Sequence, residues 1–250
     1  MTVDLAVISG YFGAVSRLEV TPPGVGTPYF FANAQASLLE AEALGWVPVD
    51  VSMFMPMSSD ELTSSIQSKW LKFLAFLPDF PEFSNRTIIY ADHKIQLTKA
   101  AISKLLLSSG RQSKIVVRNH PEFRDNVMLE VAAAWRQPRY AQKMPQTLEW
   151  IEERLAAGYK IQTRVPSTGV ILWPPTPGAR AFASEMYEES VRLSQPECQV
   201  LWPIISQGHR SQIRRIRYNA LGIRPKRRRG RMRVMGDRLL LPLRRFLGRA

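Results

Sequence analysis

Residues 87–97 read Thr-Ile-Ile-Tyr-Ala-Asp-His-Lys-Ile-Gln-Leu, and the fold is predicted outward from this stretch. Its first four residues are β-branched or aromatic, which is typical of a buried strand. The strand pattern stops at a polar triplet, Asp92, His93 and Lys94. Because ligands of open α/β sheets bind just beyond the carboxyl ends of strands, Asp92 is a candidate site residue. The alternative is that Asp92 caps the helix that follows it.

Strand and helix patterns alternate on both sides of this stretch. Strands are predicted at residues 3–9, 29–31, 46–51, 114–118 and 165–173, and helices at residues 34–44, 58–76, 98–108, 127–135, 144–156, 182–193 and 196–206. Alternation with short links predicts an α/β fold, with a mixed, mainly parallel sheet and helices on both faces.

The net charge of +13 is concentrated at the end of the chain. Residues 208–250 hold fifteen Lys and Arg and a single acid, Asp237, so residues 1–207 are left with a net charge of −1. This asymmetry predicts a neutral domain over residues 1–207 and a polybasic tail over residues 208–250. It disfavours a uniformly basic nucleic-acid-binding domain, whose charge lies on the folded docking surface.

Cysteine content and hydropathy indicate the compartment. Cys198 is the single cysteine, so an intramolecular disulfide is excluded, and the first residues lack a signal-peptide pattern. No apolar run approaches the ~20 residues that span a bilayer. We therefore expect a cytoplasmic protein whose membrane contact, if any, is peripheral. One Cys and three scattered His also do not give the spacing of a zinc site.

Two further groups of residues are candidates for ligand binding. One follows the first predicted strand, and the other lies on a predicted helix. Gly10, Tyr11 and Phe12 come directly after the first strand, where a glycine turn lets the backbone approach a ligand or simply reverses the chain. Lys69 and Lys72 are three residues apart on a helix, so they either reach a common anion or form a solvated pair.

Several short motifs, in their order along the chain, resemble a known family. They are Leu5 to Gly13, Tyr29 to Asn33, Ser68-Lys69-Trp70-Leu71-Lys72 before Leu77-Pro78, Tyr90-Ala91-Asp92, His120-Pro121 with Arg124-Asp125 and Glu130, Gly158-Tyr159, Thr168-Gly169 and Gln199. Together they resemble the hexosyltransferase-like domain of plant cell-wall and mucilage synthesis proteins and of bacterial polysaccharide clusters. The resemblance covers residues 5–206.

The resemblance implies a GT-A-type glycosyltransferase that moves a hexose from a nucleotide-sugar donor to a saccharide acceptor in surface-polysaccharide synthesis. It implies Mg²⁺ or Mn²⁺ on the donor diphosphate, held by Asp92 with His209 as a late ligand, while Lys69 and Lys72 add to that charge or replace it. Asp92, Glu130 and Asp125 are the candidate catalytic residues, the last two as a general base if the reaction inverts. The implied substrate-binding residues are Gly10, Tyr11, Phe12, Asn33, Lys69, Lys72, His120, Arg124, Thr168, Gly169 and Gln199.

Other interpretations of these residues stay open. His120 is equally a histidine bonded within its loop, and Arg124 and Glu130 are equally a surface ion pair. The family pattern Arg-Asp-Gln is replaced by Glu197-Cys198-Gln199, and the second acid of a D-x-D element is missing after Asp92. Cys198 itself is interpreted as a small buried helix residue. A non-catalytic nucleotide- or sugar-binding protein is therefore the alternative from another class.

The tail divides into two parts. Residues 210–233 are polybasic, and residues 234–250 place leucines and Phe246 among arginines. This pattern favours adsorption to an anionic membrane, at the inner membrane, where a lipid-linked or nascent saccharide is the acceptor. Nucleic-acid binding through the tail and a solvated tail are the competing interpretations.

Overall fold

The computed structural model describes residues 4–13, 18, 20–122 and 125–223. The strands are β1 Leu5–Tyr11, β2 Thr27–Ala32, β3 Val47–Asp50, β4 Thr87–Ala91, β5 Ile115–Asn119, β6 Pro166–Trp173 and β7 Ile213–Ile216. The helices are α1 Gln35–Ala43, α2 Glu61–Lys72, α3 Lys99–Ser109, α4 Val127–Trp135, α5 Pro138–Ala141, α6 Met144–Ala156, α7 Pro177–Arg192 and α8 Cys198–Ile205.

All seven strands belong to one sheet, in the order β3-β2-β1-β4-β6-β5-β7. β6 runs antiparallel to both of its neighbours, β4 and β5, and every other pairing is parallel. The predicted class, an α/β fold with a mixed and mainly parallel sheet, is confirmed. β4, the strand of residues 87–97, lies near the middle of the sheet.

The strand register brings the site residues together at the carboxyl ends of β1 and β4. Ile8 of β1 is opposite Tyr90 of β4, so the residues that follow these two parallel strands are neighbours. Val170 of β6 is opposite Ala91, and the amide of Asp92 donates to the carbonyl of Gly169 at 2.8 Å. The beginning of antiparallel β6 therefore lies beside the ends of β1 and β4.

The sheet has a hydrophobic core on each face because side chains alternate along its strands. Ile88 and Tyr90 of β4 belong to one core, which also takes in buried residues of α2, α4, α6, α7 and α8. Ile89 and Ala91 belong to the other, which packs against α1 and α3. Helices thus cover both faces, as predicted.

The folded part extends beyond residue 207, where the predicted tail begins. β7 pairs in parallel with β5, with Arg215 opposite Val117, and forms an edge of the sheet. Residues 208–223 are therefore described as part of the fold, which corrects the predicted start of the tail. Residues 224–250, which carry most of the polybasic and amphipathic segments, lie outside the described residues. In the part of the chain that the structure describes, no helix has the length and apolarity to span a membrane.

Candidate functional site

A cavity of about 510 Å³ lies at the carboxyl ends of β1 and β4. It is lined by the turn after β1, by α2 and the serines just before it, and by the end of β4. The beginning of β6, α5 and the segment that leads into α8 complete the lining. The structure brings nine of the predicted site residues to this cavity: Gly10, Tyr11, Phe12, Lys69, Lys72, Asp92, Thr168, Gly169 and Gln199.

The turn after β1 is held by Asn33, the residue that follows β2. Gly13 has a φ of 99°, which favours glycine, and its amide donates to Asn33 Oδ1 at 3.0 Å. A Cβ at Gly13 would lie 2.6 Å from Ser64 Oγ of α2, so the turn packs closely on that helix. Asn33 Nδ2 donates to the carbonyl of Met55 at 2.9 Å. Asn33 is not among the lining residues, and its contacts position the turn rather than a ligand.

Helix α2 carries two buried lysines into the cavity wall. The helix begins at an Asp60 cap, whose Oδ2 accepts from the Thr63 amide at 2.7 Å. Lys69 and Lys72 lie in its last turn, where the helix dipole favours cations. Their residue surfaces are 8% and 5% exposed. Of the two alternatives for these lysines, the solvated pair is therefore wrong, since both side chains are removed from bulk water.

Lys72 and Asp92 form an ion pair at the base of the cavity. Lys72 Nζ lies 3.1 Å from Asp92 Oδ1, and the Tyr90 hydroxyl donates to the same oxygen at 2.7 Å. Burial lowers the pKa of Lys72, but Asp92, Tyr90 and Cys198 together outweigh burial, and the pKa lies well above its usual value. Burial likewise raises the pKa of Asp92, but Lys72 and the Tyr90 hydroxyl hold it below its usual value. Both groups are therefore charged at neutral pH.

Asp92 is not the cap of α3. Thr98 holds that position, and its Oγ1 accepts from the Ala101 amide at 3.1 Å. The lack of a side chain at Gly169 leaves space for the Asp92 carboxyl, because a Cβ at this position would lie 3.0 Å from Asp92 Oδ2 and 2.7 Å from Ile95 Cδ1. The contacts of Asp92 are thus with Lys72, Tyr90 and the start of β6.

Lys69 is in a different electrostatic situation from Lys72. Among the described residues no carboxylate lies within ion-pair distance of it, and its ammonium donates a long hydrogen bond, 3.4 Å, to Ser68 Oγ. Burial lowers the pKa of Lys69, and the charge of Lys72 lowers it further. Among the residues that the structure describes, Lys69 is thus a buried charge at the cavity wall without an ion-pair partner, and burying such a charge is costly.

The entrance to α8 closes the cavity on the side of β6. Cys198 is buried, and its Sγ lies 3.2 Å from Thr168 Oγ1. Gln199 Nε2 donates to the carbonyl of Pro166 at 2.9 Å. Cys198 is the first residue of α8, so its interpretation as a small buried helix residue is confirmed.

The polar residues after β5 do not reach the cavity. Asp125 is exposed and lies 3.9 Å from Arg164 Nε, Glu130 is buried in α4, and His120 Nδ1 accepts from the Glu122 amide at 3.1 Å. None of these three described residues lines the cavity. The physical reason is the strand order, since β6 lies between β4 and β5. Arg124 lies outside the described residues.

Other lining residues were not among the predicted site residues. Arg139 and Tyr140 belong to α5, and Ser58, Ser59, Ser64, Ser65 and Ser68 form a hydroxyl-rich wall. The serine cluster is visible in the sequence, but α5 has no motif of its own. The His93 ring lies 4.8 Å from the Tyr11 ring, edge to face, and burial lowers the pKa of His93 to about 4. His93 is therefore neutral at pH 7.

The side chains of this cavity do not fit the predicted divalent cation. Mg²⁺ and Mn²⁺ require several oxygen ligands, whereas no group of three His, Cys, Asp or Glu side chains in the described ranges is placed to hold a metal ion. Asp92 Oδ1 is already engaged by Lys72 and Tyr90. His209 Nε2 lies 2.8 Å from Glu185 Oε2 on α7, and His209 is not a lining residue. The predicted pairing of Asp92 with His209 is not formed.

Comparisons with known proteins give a distant structural likeness. No family model matches the chain, and no curated protein matches it in sequence. Among solved structures, the chain is similar to mouse xyloside xylosyltransferase 1 in its apo form. The identity is 11%, the TM-score is 0.48, and the likeness covers 86% of this chain and 85% of that chain. A likeness at this level carries no argument about function, which must come from the residues of the cavity.

Proposed function

We propose that this chain is a GT-A-type glycosyltransferase that transfers a hexose from a nucleotide-sugar donor to a saccharide acceptor. The observation that carries the proposal is the buried ammonium of Lys69, which has no carboxylate at ion-pair distance among the described residues and lines a cavity at the carboxyl ends of parallel strands. Such an edge is where nucleotides bind to open α/β sheets. A diphosphate suits this cavity because its negative charge would pair with the ammonium group of Lys69.

The residues around Lys69 suit the remaining parts of such a donor. The turn of Gly10 and Gly13 lets the backbone approach a ligand, and Asn33 holds that turn in place. The serine wall of α2 offers hydroxyl donors to phosphate or sugar oxygens. The Lys72 and Asp92 pair presents a fixed charge arrangement at the base.

The chemistry assigned to the site is the departure of a nucleoside diphosphate. The bond between the anomeric carbon and the phosphate oxygen breaks, the oxygen of the acceptor hydroxyl forms the new glycosidic bond, and the hydroxyl proton passes to water or to the departing diphosphate. The diphosphate leaves with more negative charge on the bridging oxygen than it had in the donor. Buried cations beside that oxygen stabilise this transition state more than the ground state.

A ligand screen tests the proposal. Thermal unfolding of the full chain is recorded with UDP, GDP, ADP and CDP, and the corresponding nucleotide sugars are then assayed for release of nucleoside diphosphate. We expect one base to raise Tm and its sugar conjugate to be turned over. Lys69→Met is expected to lose the shift, and Lys104→Met, an exposed residue of α3, is the control that keeps it. The absence of a shift with every nucleotide would contradict the proposal.

A non-catalytic nucleotide- or sugar-binding protein is the second candidate function. It is favoured by Cys198 at the position where the related pattern has an acid, and by the distance of Asp125 and Glu130 from the cavity walls. The two candidates give different results in the same screen. A thermal shift by the nucleotide, without turnover of any of its sugar conjugates, supports the binding protein.

We further propose that the polybasic tail holds the chain at an anionic membrane, where a surface-polysaccharide acceptor is assembled. The support is the charge of residues 224–250, eleven Lys and Arg against one acid. Replacing Lys226, Arg227, Arg228 and Arg229 by Gln in the full chain should reduce co-sedimentation with phosphatidylglycerol vesicles. Binding of the wild-type chain to RNA or DNA but not to these vesicles would support the competing interpretation of the tail.

A further inference from the structure

We infer that this cavity binds the diphosphate of its donor through the ammonium groups of Lys69 and Lys72, without a divalent cation. The inference rests on the function proposed above and concerns the groups that supply the positive charge. Three observations carry it. Asp92 is already bound to Lys72 and Tyr90, the described residues offer no other group of metal ligands, and the two lysines differ in their partners.

Asp92 Oδ1, the carboxylate oxygen that faces Lys72, already has two partners. It accepts from the Tyr90 hydroxyl at 2.7 Å and lies 3.1 Å from Lys72 Nζ. A divalent cation at that oxygen would lie beside an ammonium group whose side chain is only 6% exposed. The repulsion between these charges in a partly buried site disfavours the exchange. Lys72 thus occupies the side of Asp92 Oδ1 from which a metal ion would bind that oxygen.

The rest of the chain offers no substitute set of ligands. In the described ranges no three His, Cys, Asp or Glu side chains are grouped for a metal ion. Outside those ranges the sequence contains two acidic side chains, Glu19 and Asp237, and no His or Cys. A single engaged carboxylate does not satisfy the oxygen coordination of Mg²⁺ or Mn²⁺.

The two lysines have different roles in binding the diphosphate. Lys72 is neutralised by Asp92 and fixed by it, whereas Lys69, one helical turn away, lines the cavity without a carboxylate among the described residues. The lining cations are Lys69, Lys72, Lys94 and Arg139, and the lining anions are Glu61, Asp92 and Glu197. The cavity therefore has a net positive charge before any ligand enters. Charge-assisted hydrogen bonds from a buried ammonium to phosphate are the strong kind.

Titration calorimetry with the full chain tests the inference. Binding of UDP, GDP, ADP and CDP is measured in EDTA and again with Mn²⁺. We expect the Kd of the bound nucleotide in EDTA to lie within about threefold of its value with Mn²⁺. Lys69→Met should weaken binding on the order of tenfold or more in both conditions, while Lys104→Met leaves it unchanged. Circular dichroism and the Tm of Lys69→Met establish that the variant is folded.

The outcomes separate this inference from the proposed function. Binding that appears with Mn²⁺ but not in EDTA overturns metal-free binding and leaves the glycosyltransferase proposal standing. Metal-free binding that a folded Lys69→Met retains also overturns the inference, because the charge then comes from elsewhere. Failure of every nucleotide to bind in either condition overturns the proposed function and the inference together.

Discussion

Lys72 Nζ lies 3.1 Å from Asp92 Oδ1, while Lys69, three residues earlier on the same helix, has no carboxylate at ion-pair distance among the described residues. The pair orders the base of the cavity, because Asp92 also accepts from Tyr90 and its amide donates to Gly169. The unpaired lysine has the opposite effect, since a buried charge without a partner destabilises the fold. We therefore expect the two lysines to respond oppositely to the same substitution.

Lys72→Met should lower the stability of the protein. The substitution leaves the Asp92 carboxylate with the Tyr90 hydroxyl but without its cation. Removing one member of a fully buried pair costs 3–5 kcal/mol, and we expect about 2 kcal/mol here because 38% of the Asp92 side chain is accessible. Urea unfolding measures the change, with Lys104→Met as the control. Wild-type stability in Lys72→Met would show that the pair is immaterial to the fold.

Lys69→Met should leave stability unchanged or raise it, by about 1 kcal/mol. Methionine keeps most of the length of the side chain and removes a buried charge that has no carboxylate partner among the described residues. A residue that weakens the free protein and is needed for ligand binding has a functional rather than a structural role. The same urea experiment measures it. A loss of stability as large as that of Lys72→Met would mean that Lys69 holds the fold together.

Gly169→Ala should weaken nucleotide binding through Asp92. The added Cβ would lie 3.0 Å from Asp92 Oδ2 and 2.7 Å from Ile95 Cδ1, so the carboxyl must shift from its place beside Lys72. We expect a loss of affinity on the order of tenfold, together with a lower Tm. Gly208→Ala is the matched control, because its nearest contact would be an ordinary 3.7 Å. Equal affinities for the two variants would show that the site tolerates movement of Asp92.

The sequence predicted the strand ends that form the cavity, because its strand patterns stop abruptly at polar or glycine residues. Asp92 after β4 and Gly10 at the end of β1 are such positions, and the sheet brings them to the same edge. The lysine pair was also predicted, since its spacing places both side chains on neighbouring positions of one helix.

What could not be predicted depends on contacts between distant parts of the chain. A strand pattern does not reveal its partners or direction, so the insertion of antiparallel β6 between β4 and β5 was not foreseen. That insertion separates Asp125 and Glu130 from Asp92. β7 was missed for a different reason: its sequence, Ile-Arg-Arg-Ile, resembles the charged tail, and only its pairing with β5 distinguishes it.

Nucleotide affinity should fall as the pH rises through the range below the usual lysine pKa of about 10.4. Burial and the charge of Lys72 lower the pKa of Lys69 in the free protein, so part of Lys69 loses its proton in this range. A bound diphosphate favours the ammonium form and raises that pKa, which couples binding to proton uptake. Lys72 does not contribute, because Asp92 holds its pKa well above the usual value.

Calorimetry in two buffers of different ionisation enthalpy measures this proton uptake directly. The groups that interact electrostatically with Lys69 are Lys72, Cys198, Glu197 and Asp92. Lys104→Met is the control, since it removes an exposed lysine of α3 that does not line the cavity and should leave the pH dependence intact. In Lys69→Met the affinity should be weak and independent of pH across the same range. A pH dependence that survives in Lys69→Met would assign the titration to another group, because methionine has no proton to gain when the diphosphate binds.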